Sequence, residues 1–372
     1  MSAQSRYRIF VDIGSAVTKA YLFDYQTKPP QLVEKQEATT LDQIGLVVKT
    51  LLKEFSLEPG FDSIAISLSP KVKEGLRNAT KEEDSLRQLV EKFSKESNFL
   101  LLEVGAAKSW YGFGIDGTWR VNPVDYGLGK GVRQILNSIS TEAKIARWLT
   151  AQVSLEEIGD YIGIKNIFPG QIPLKGSSLQ IEQAVTREIL AYIATEISLD
   201  WSKIDQVLLS GAVLCSVPDC RQTLSMFLDG IVPEGVCQIF SDQRGILPVL
   251  WSIDGNSLLS HLVNLGTVVV CSHNFTGGEV LGRVFLDIGL SEELEVILES
   301  GDLVRVPLAT DQCCTMRVEL ASGVEVKGFN PQAEISGGEL GLIFDMRGRP
   351  LRKPELNEEG RRKVRQWQEA LR

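Results

Sequence analysis

One stretch near the N-terminus constrains this chain more than any other: Arg8-Ile-Phe-Val-Asp-Ile-Gly-Ser-Ala-Val-Thr-Lys-Ala-Tyr-Leu-Phe-Asp24. Residues 9–13 and 17–23 are rich in the Val, Ile, Tyr and Phe that favour strands, and the small residues Gly14, Ser15 and Ala16 join them. Gly14 lets the backbone reverse without a Cβ clash. Such a turn can aim several N–H groups at one point, making a concavity suited to a phosphate. Asp12 ends the first strand at its mouth, where a carboxylate would hold Mg²⁺ through water. Thr18 and Lys19 would add a hydroxyl and a point charge. The competing reading is an ordinary hairpin with an edge Asp and Lys; the agreement of residue types with both flanking strands favours the phosphate loop.

Two lobes or two domains fit within 372 residues, with ample core. A formal net charge of −9 and a pI near 5.1 argue against nucleic-acid binding, which needs a concentrated basic face. No apolar run is long enough to span a bilayer, and no signal-peptide pattern precedes the first strand, so a cytoplasmic protein without a membrane partner is expected. The six cysteines form no C-x-x-C pair and read as reduced thiols, with Cys313 and Cys314 on opposite faces of a strand. His261 and His273 are the only imidazoles, too few for a zinc site or a His-based triad to be expected.

Along the chain, 31–38 reads as a third strand, 41–55 as an amphipathic helix, 62–69 as a buried strand and 80–96 as a polar helix. Strand 99–104 runs into Gly105, Ala106, Ala107 and Lys108. Asp116-Gly117 is a favoured tight-turn pair for a hairpin over 111–121. Gly127, Gly129 and Gly131 precede a helix, a spacing that alone fits a plain loop equally well. Helices are expected over 142–149, 154–162 and 177–197, broken by Pro169 and Pro173, with Arg187 and Glu188 on a solvated side of the last. Strand 204–209 leads to the small residues Ser210, Gly211 and Ala212. A helix over 221–228, a strand over 236–240 and a mostly apolar helix over 243–265 follow. From Gly266 onward, short strands separated by glycine turns suggest a small all-β module, and 355–372 suggests a charged helix. The expected division is a first lobe at 1–140, a second at 141–265, a β-rich module at 266–352 and a C-terminal helix at 353–372.

The opening loop resembles the first phosphate loop of the actin, Hsp70 and sugar-kinase superfamily. That resemblance implies an α/β, actin-like ATPase fold: two RNase H-like lobes around a nucleotide cleft, here with the C-terminal all-β module added. In the superfamily a second loop, Asp-x-Gly-Gly-x-Thr-Thr-Asp, follows the strand at 99–104. This chain keeps Gly105 but has Glu103 for the leading Asp, Lys108 for a Thr and Trp110 for the trailing Asp. Glu103 moves its carboxylate by about one methylene, which disturbs a fixed Mg²⁺ geometry. The turn holding Gly127 and Gly129 takes the place of the helix-initiating loop that bounds the cleft. Ser210, Gly211 and Ala212 take the place of the adenosine turn, with Leu209 where the superfamily usually has Gly.

Several stretches together resemble the glutamate mutase accessory family, MutL or GlmL, distinct from the mismatch-repair protein called MutL. They are Asp12-Ile-Gly-Ser, Ile145-Ala-Arg-Trp-Leu149, Ser210-Gly-Ala-Val-Leu214, Asn264-Leu-Gly-Thr-Val-Val269 and Gly337-Gly-Glu-Leu-Gly-Leu-Ile-Phe-Asp-Met-Arg-Gly-Arg-Pro-Leu351. The resemblance implies an ATP- and Mg²⁺-binding reactivating factor for an adenosylcobalamin-dependent mutase, glutamate mutase or a relative, with slow ATPase activity. It implies catalytic roles for Asp12 and Glu103, with Asp12 at the metal. Nucleotide contacts are expected from Gly14, Ser15, Thr18, Lys19, Gly105, Lys108, Gly127, Gly129, Ser210, Gly211 and Ala212. Leu209, Ala106 and Trp110 favour an alternative, a pseudo-ATPase scaffold that binds nucleotide weakly or not at all. A metabolite kinase would need a catalytic Asp, for which Asp125 is the nearest residue, but the β module does not fit that class.

Overall fold

The computed structural model describes residues 7–13, 17–38, 64–68, 79–250, 259–274, 277–289, 293–330 and 334–372. Gly14, Ser15 and the helix expected over 41–55 lie outside the described residues. Strand β1 (Tyr7–Ile13) pairs antiparallel with β2 (Thr18–Asp24), and β2 with β3 (Gln31–Ala38). On the other side of β1 lie two parallel strands, β4 (Ile64–Leu68) and β5 (Ala79–Lys81), giving the order β3-β2-β1-β4-β5. Helix α1 (Glu82–Phe93) follows.

The same scheme then recurs. Strands β6 (Phe99–Val104), β7 (Ser109–Ile115) and β8 (Thr118–Val124) form an antiparallel meander. Strand β9 (Gln206–Ser210) pairs parallel with β6, and β10 (Gly235–Ser241) parallel with β9. The order β8-β7-β6-β9-β10 therefore repeats that of the first sheet. Two sheets of this kind, three antiparallel strands and then two parallel ones, are the paired RNase H-like lobes of an actin-like ATPase fold. Strand β6, expected within a first lobe ending at residue 140, pairs with β9, so β6 to β8 lie in the same sheet as β9 and β10. The Asp116-Gly117 turn forms as expected, both residues having positive φ.

Between β8 and β10 lie six helices: α2 (Val132–Ser138), α3 (Glu142–Ala146), α4 (Leu155–Ile167), α5 (Gly176–Glu196), α6 (Ala212–Cys215) and α7 (Cys220–Gly230). Their apolar residues join Leu100, Leu102, Val207 and Leu209 in one core on one face of the second sheet. Leu209 thus packs inward. Arg187 and Glu188, expected on a solvated side of α5, are only 3% and 5% exposed, because α3 and α7 both pack against this helix. Each is satisfied there. Glu188 Oε1 accepts from Arg147 Nη2 and Trp148 Nε1, both at 2.9 Å, and Arg187 Nε donates to Asp229 Oδ2 at 2.8 Å.

Of the helix expected over 243–265, residues 251–258 lie outside the described residues, and its last part is not helix but a 3-10 turn and strand. The described residues give only α8 (Leu247–Leu250), a 3-10 turn at Leu259–His261 and strand β11 (Val263–Val270), whose β-branched run pairs antiparallel with β10. Strands β12 (Val280–Asp287), β13 (Leu294–Glu299), β15 (Cys313–Leu320) and β16 (Ile335–Ser336) build the small separate sheet of the C-terminal β region. Strands β14 (Leu303–Val306) and β17 (Leu342–Asp345) instead join β11 in extending the second lobe's sheet to eight strands. Helix α9 (Glu358–Ala370) is capped by Asn357, and its Val364 and Trp367 join the second lobe's core.

The turn from β17 carries a buried ion network. Arg347 Nη1 donates to Asp229 Oδ1 at 2.6 Å and its Nη2 to Asp345 Oδ2 at 2.8 Å. Arg349 Nη2 also donates to Asp345 Oδ2, at 3.1 Å. Since Asp229 also holds Arg187, three arginines and two aspartates tie α5, α7 and β17 together. Arg347 also lies over the Trp367 ring, 4.6 Å from its centroid, which fastens α9 to the same network.

Candidate functional site

Strand register decides which side chains meet. Opposed residues of an antiparallel pair share a face, and faces alternate along a strand. Asp12 opposes Lys19 and Phe10 opposes Tyr21, so all four lie on one face of the first sheet. In the second sheet Glu103 opposes Trp110 and aligns with Ser210, on the face that carries Leu101 and Leu208. Phe10, Tyr21, Leu101, Trp110, Leu208 and Phe240 belong to a single core that joins the two sheets. At the carboxyl ends of β1, β6 and β9 the apolar residues give way to Asp12, with Lys19 opposite it at the amino end of β2, on one side and to Glu103 and Ser210 on the other. In α/β sheets this end is where ligands bind.

These four line one cavity together with Gly211, Ala212, Lys35, Asp242 and Gly245. Its volume is about 50 Å³. Asp12, Lys19, Glu103, Ser210, Gly211 and Ala212 of the expected site are thus brought together. Thr18 points to the opposite face from Lys19, is buried, and its Oγ1 makes no hydrogen bond among the described residues. Gly105, Lys108, Gly127 and Gly129 are not among the residues lining the cavity. Gly127 and Gly129 instead cover the second loop: a Cβ on Gly127 would stand 2.6 Å from the Ala107 carbonyl carbon, and one on Gly129 2.8 Å from Ala106 O. The Leu128 N–H donates to Gly105 O at 2.9 Å. Lys108 turns outward to pair with exposed Asp125 at 3.0 Å, which leaves Asp125 away from the cavity's carboxylates.

Asp242 is the functional candidate that sequence reasoning missed. It follows β10 directly, is 1% exposed, and holds the chain as it crosses back to the first lobe. Its Oδ1 accepts from the Ile246 N–H and its Oδ2 from the Leu247 N–H, both at 2.8 Å, and the Ser210 hydroxyl donates to Oδ2 at 3.2 Å. Burial pushes its carboxyl up to about 6, against these hydrogen bonds and the Lys19 charge, which favour ionisation. Tyr21 donates its hydroxyl proton to Gly245 O on the same crossing segment. Its phenol is held well above the usual range, first by burial and then by Asp12, Asp242, Glu37 and Glu103. The Cys215 thiol, pushed up to about 12 by burial, stays protonated and offers no nucleophile.

The raised Asp242 carboxyl has a signed consequence. The folded state retains the proton where the unfolded chain has lost it, so stability declines as pH rises through the window from about 4 to 6. Relative to Asp242→Asn, the wild type should lose on the order of 3 kcal/mol of unfolding free energy between about pH 4 and pH 7. Urea unfolding at the two pH values measures this, and a difference independent of pH would refute it.

Two lysines and three carboxylates around one cavity can meet a phosphate and a cation at once. Among the described residues no three Asp, Glu, His or Cys side chains converge as a direct metal cage. A site of this composition suits Mg²⁺, which keeps several of its waters and takes one or two carboxylates with substrate phosphate. No described helix is long and apolar enough to cross a membrane.

No family model matches the chain, and no curated protein matches it. Among solved structures, similarity is found to component A of the (R)-2-hydroxyglutaryl-CoA dehydratase of Acidaminococcus fermentans, at 13% identity over 67% of this chain and 98% of that one, TM-score 0.42. The activator of the 2-hydroxyisocaproyl-CoA dehydratase of Clostridium difficile, with bound ADPNP, is similar at 12% identity over 66% and 92%, TM-score 0.42. The ethanolamine utilization protein EutJ of Carboxydothermus hydrogenoformans is similar at 13% identity over 68% and 90%, TM-score 0.41.

Proposed function

We infer that this chain is an actin-like ATP-binding accessory protein, a reactivating factor for an adenosylcobalamin-dependent mutase such as glutamate mutase or a relative. The observation that carries the nucleotide part is the convergence of Asp12 and Lys19 from one sheet with Glu103, Ser210 and Asp242 from its repeat around one cavity. The mutase part rests on the sequence resemblance. Asp12 would hold Mg²⁺ through water, Lys19 would face a phosphate oxygen, and Gly211 and Ala212 would lie against the nucleoside. Mg²⁺ would neutralise phosphate charge there. Glu103 and Asp242 would orient a water or accept its proton. Because the cavity belongs to both lobes, a ligand that contacts the two together would bias their separation, and with it the affinity for a partner.

One observation favours the scaffold reading: about 50 Å³ holds waters or an ion, whereas a nucleotide-sized ligand needs several hundred, so the lobes would have to part. Thermal unfolding with and without millimolar Mg-ATP separates the two. Ligand at a hundred times its dissociation constant stabilises the native state by about 2.7 kcal/mol. The expected outcome is a midpoint rise in the wild type that is absent in Asp12→Ala. No rise in the wild type would leave the scaffold. A rise accompanied by nucleotide-dependent binding to a purified cobalamin mutase would extend the result to the partner.

A further inference from the structure

A second cavity, of about 150 Å³, lies away from the nucleotide site, between α5, α7 and α9. Four arginines line it, Arg187, Arg221, Arg365 and Arg372, against the two carboxylates Asp219 and Glu369, with Asp229 pairing Arg187 behind the wall, a local excess of positive charge on a chain of formal charge −9. Arg187 reaches it from the buried network, and its Nη2 donates to Ser225 Oγ at 2.9 Å. Arg221 is held by Asp219, whereas Arg365 and Arg372 form no side-chain ion pair among the described residues. Two amide groups on the wall are unsatisfied. Among the described residues, Gln183, 5% exposed, has no hydrogen-bond partner for Nε2, and Gln222 has none for its buried Oε1. A buried amide left in this way costs about 1–3 kcal/mol, a cost that a bound group accepting from one and donating to the other would remove.

We propose that this cavity binds a small oxyanion of the phosphate class, held by the arginines, with Gln183 donating to an oxygen and Gln222 accepting from a phosphate hydroxyl. The need for both an acceptor and a donor separates phosphate from a carboxylate: ionised acetate has no proton to give Gln222. The volume admits a compact anion and excludes a nucleotide. Bound there, the anion would bridge α9 to α5 and α7, so its occupancy would govern how firmly the C-terminal helix is docked.

The test is thermal unfolding of the full chain in inorganic phosphate, against chloride and acetate at equal ionic strength, for the wild type, Arg365→Ala, Gln183→Leu and Lys19→Ala. The expected result is a saturable rise in midpoint with phosphate, absent in chloride and weaker in acetate. Arg365→Ala and Gln183→Leu should each weaken it about tenfold or more, as loss of a charge-assisted or buried hydrogen bond does. Lys19→Ala, which removes any phosphate binding at the nucleotide cavity, should keep a saturable rise. Arg365 is exposed, so that variant should fold whatever becomes of Gln183→Leu. No saturable response, an equal response to acetate, or a response that survives both pocket variants and disappears in Lys19→Ala would each overturn the proposal.

Discussion

Replacing Arg347 with alanine should lower the unfolding free energy by about 3 kcal/mol, the low end of the cost of breaking a buried ion pair, because Asp345 keeps Arg349 and Asp229 keeps Arg187. Arg347 and Asp345 are both almost wholly buried, and Arg347 is the cation shared between Asp345 and Asp229. Burial alone would raise the Asp345 carboxyl; Arg347, and after it Arg349, overcome this and hold it well below the ordinary range. Its stabilisation is therefore present above the unfolded value of about 3.9 and lost as pH falls below it, opposite in sign to that of Asp242. Arg347→Met, which retains an unbranched chain against Trp367, separates charge from packing. If charge dominates, urea midpoints of the two variants fall together; if Met restores most of the loss, packing on α9 is the larger part. A loss below about 1 kcal/mol in both would contradict a structural role for the network.

Gly211→Ala should be comparably severe. Gly211 has φ of +105°, and a Cβ there would stand 2.2 Å from Val104 O, a backbone atom fixed in the β6 ladder. Unusual backbone conformations cost about 1–3 kcal/mol for a residue with a Cβ, before the displacement of β6 is counted. A total of about 3 kcal/mol or more is expected. The displaced strand carries Glu103 and the substituted turn carries Ser210, so nucleotide stabilisation should fall with stability. Gly163→Ala is the control: it lies within α4 with nothing within 4 Å of the added atom, and should change stability by about +0.5 to +1 kcal/mol. Equal effects at the two glycines would show that the close approach to Val104 is not what Gly211 serves.

Local chemistry made β1 and β2 legible, because apolar runs around Gly-Ser-Ala specify strand, turn and strand without reference to distant residues. The position of Asp12 at the end of β1 could be read for the same reason. What could not be read was partner choice. Nothing in Phe99–Val104 says that its parallel neighbour is Gln206–Ser210 rather than a strand of the first sheet. Arg187 and Glu188 looked solvated because a helix pattern counts charges and not the helices that will cover them. Asp242 had no motif around it. Ser241-Asp242-Gln243 is unremarkable until the chain turns back and brings the Ile246 and Leu247 amides onto its carboxylate. Lys108 illustrates the reverse case, a cation placed by motif position at a phosphate and taken by Asp125 in space.

The core between the sheets bears on how the chain is made. One face of the first sheet, with Phe10, Tyr21 and Phe23, is completed by Ile246, Leu247, Val249, Leu250 and Leu262 from far along the chain. On a ribosome adding about 5–20 residues per second, the N-terminal sheet therefore emerges roughly ten to thirty seconds before the segment that covers it. During that interval its aromatic face is open to other nascent chains. Synthesis of this protein thus contains a vulnerable period, set by connectivity rather than stability, in which a holding chaperone would act on the first ninety or so residues.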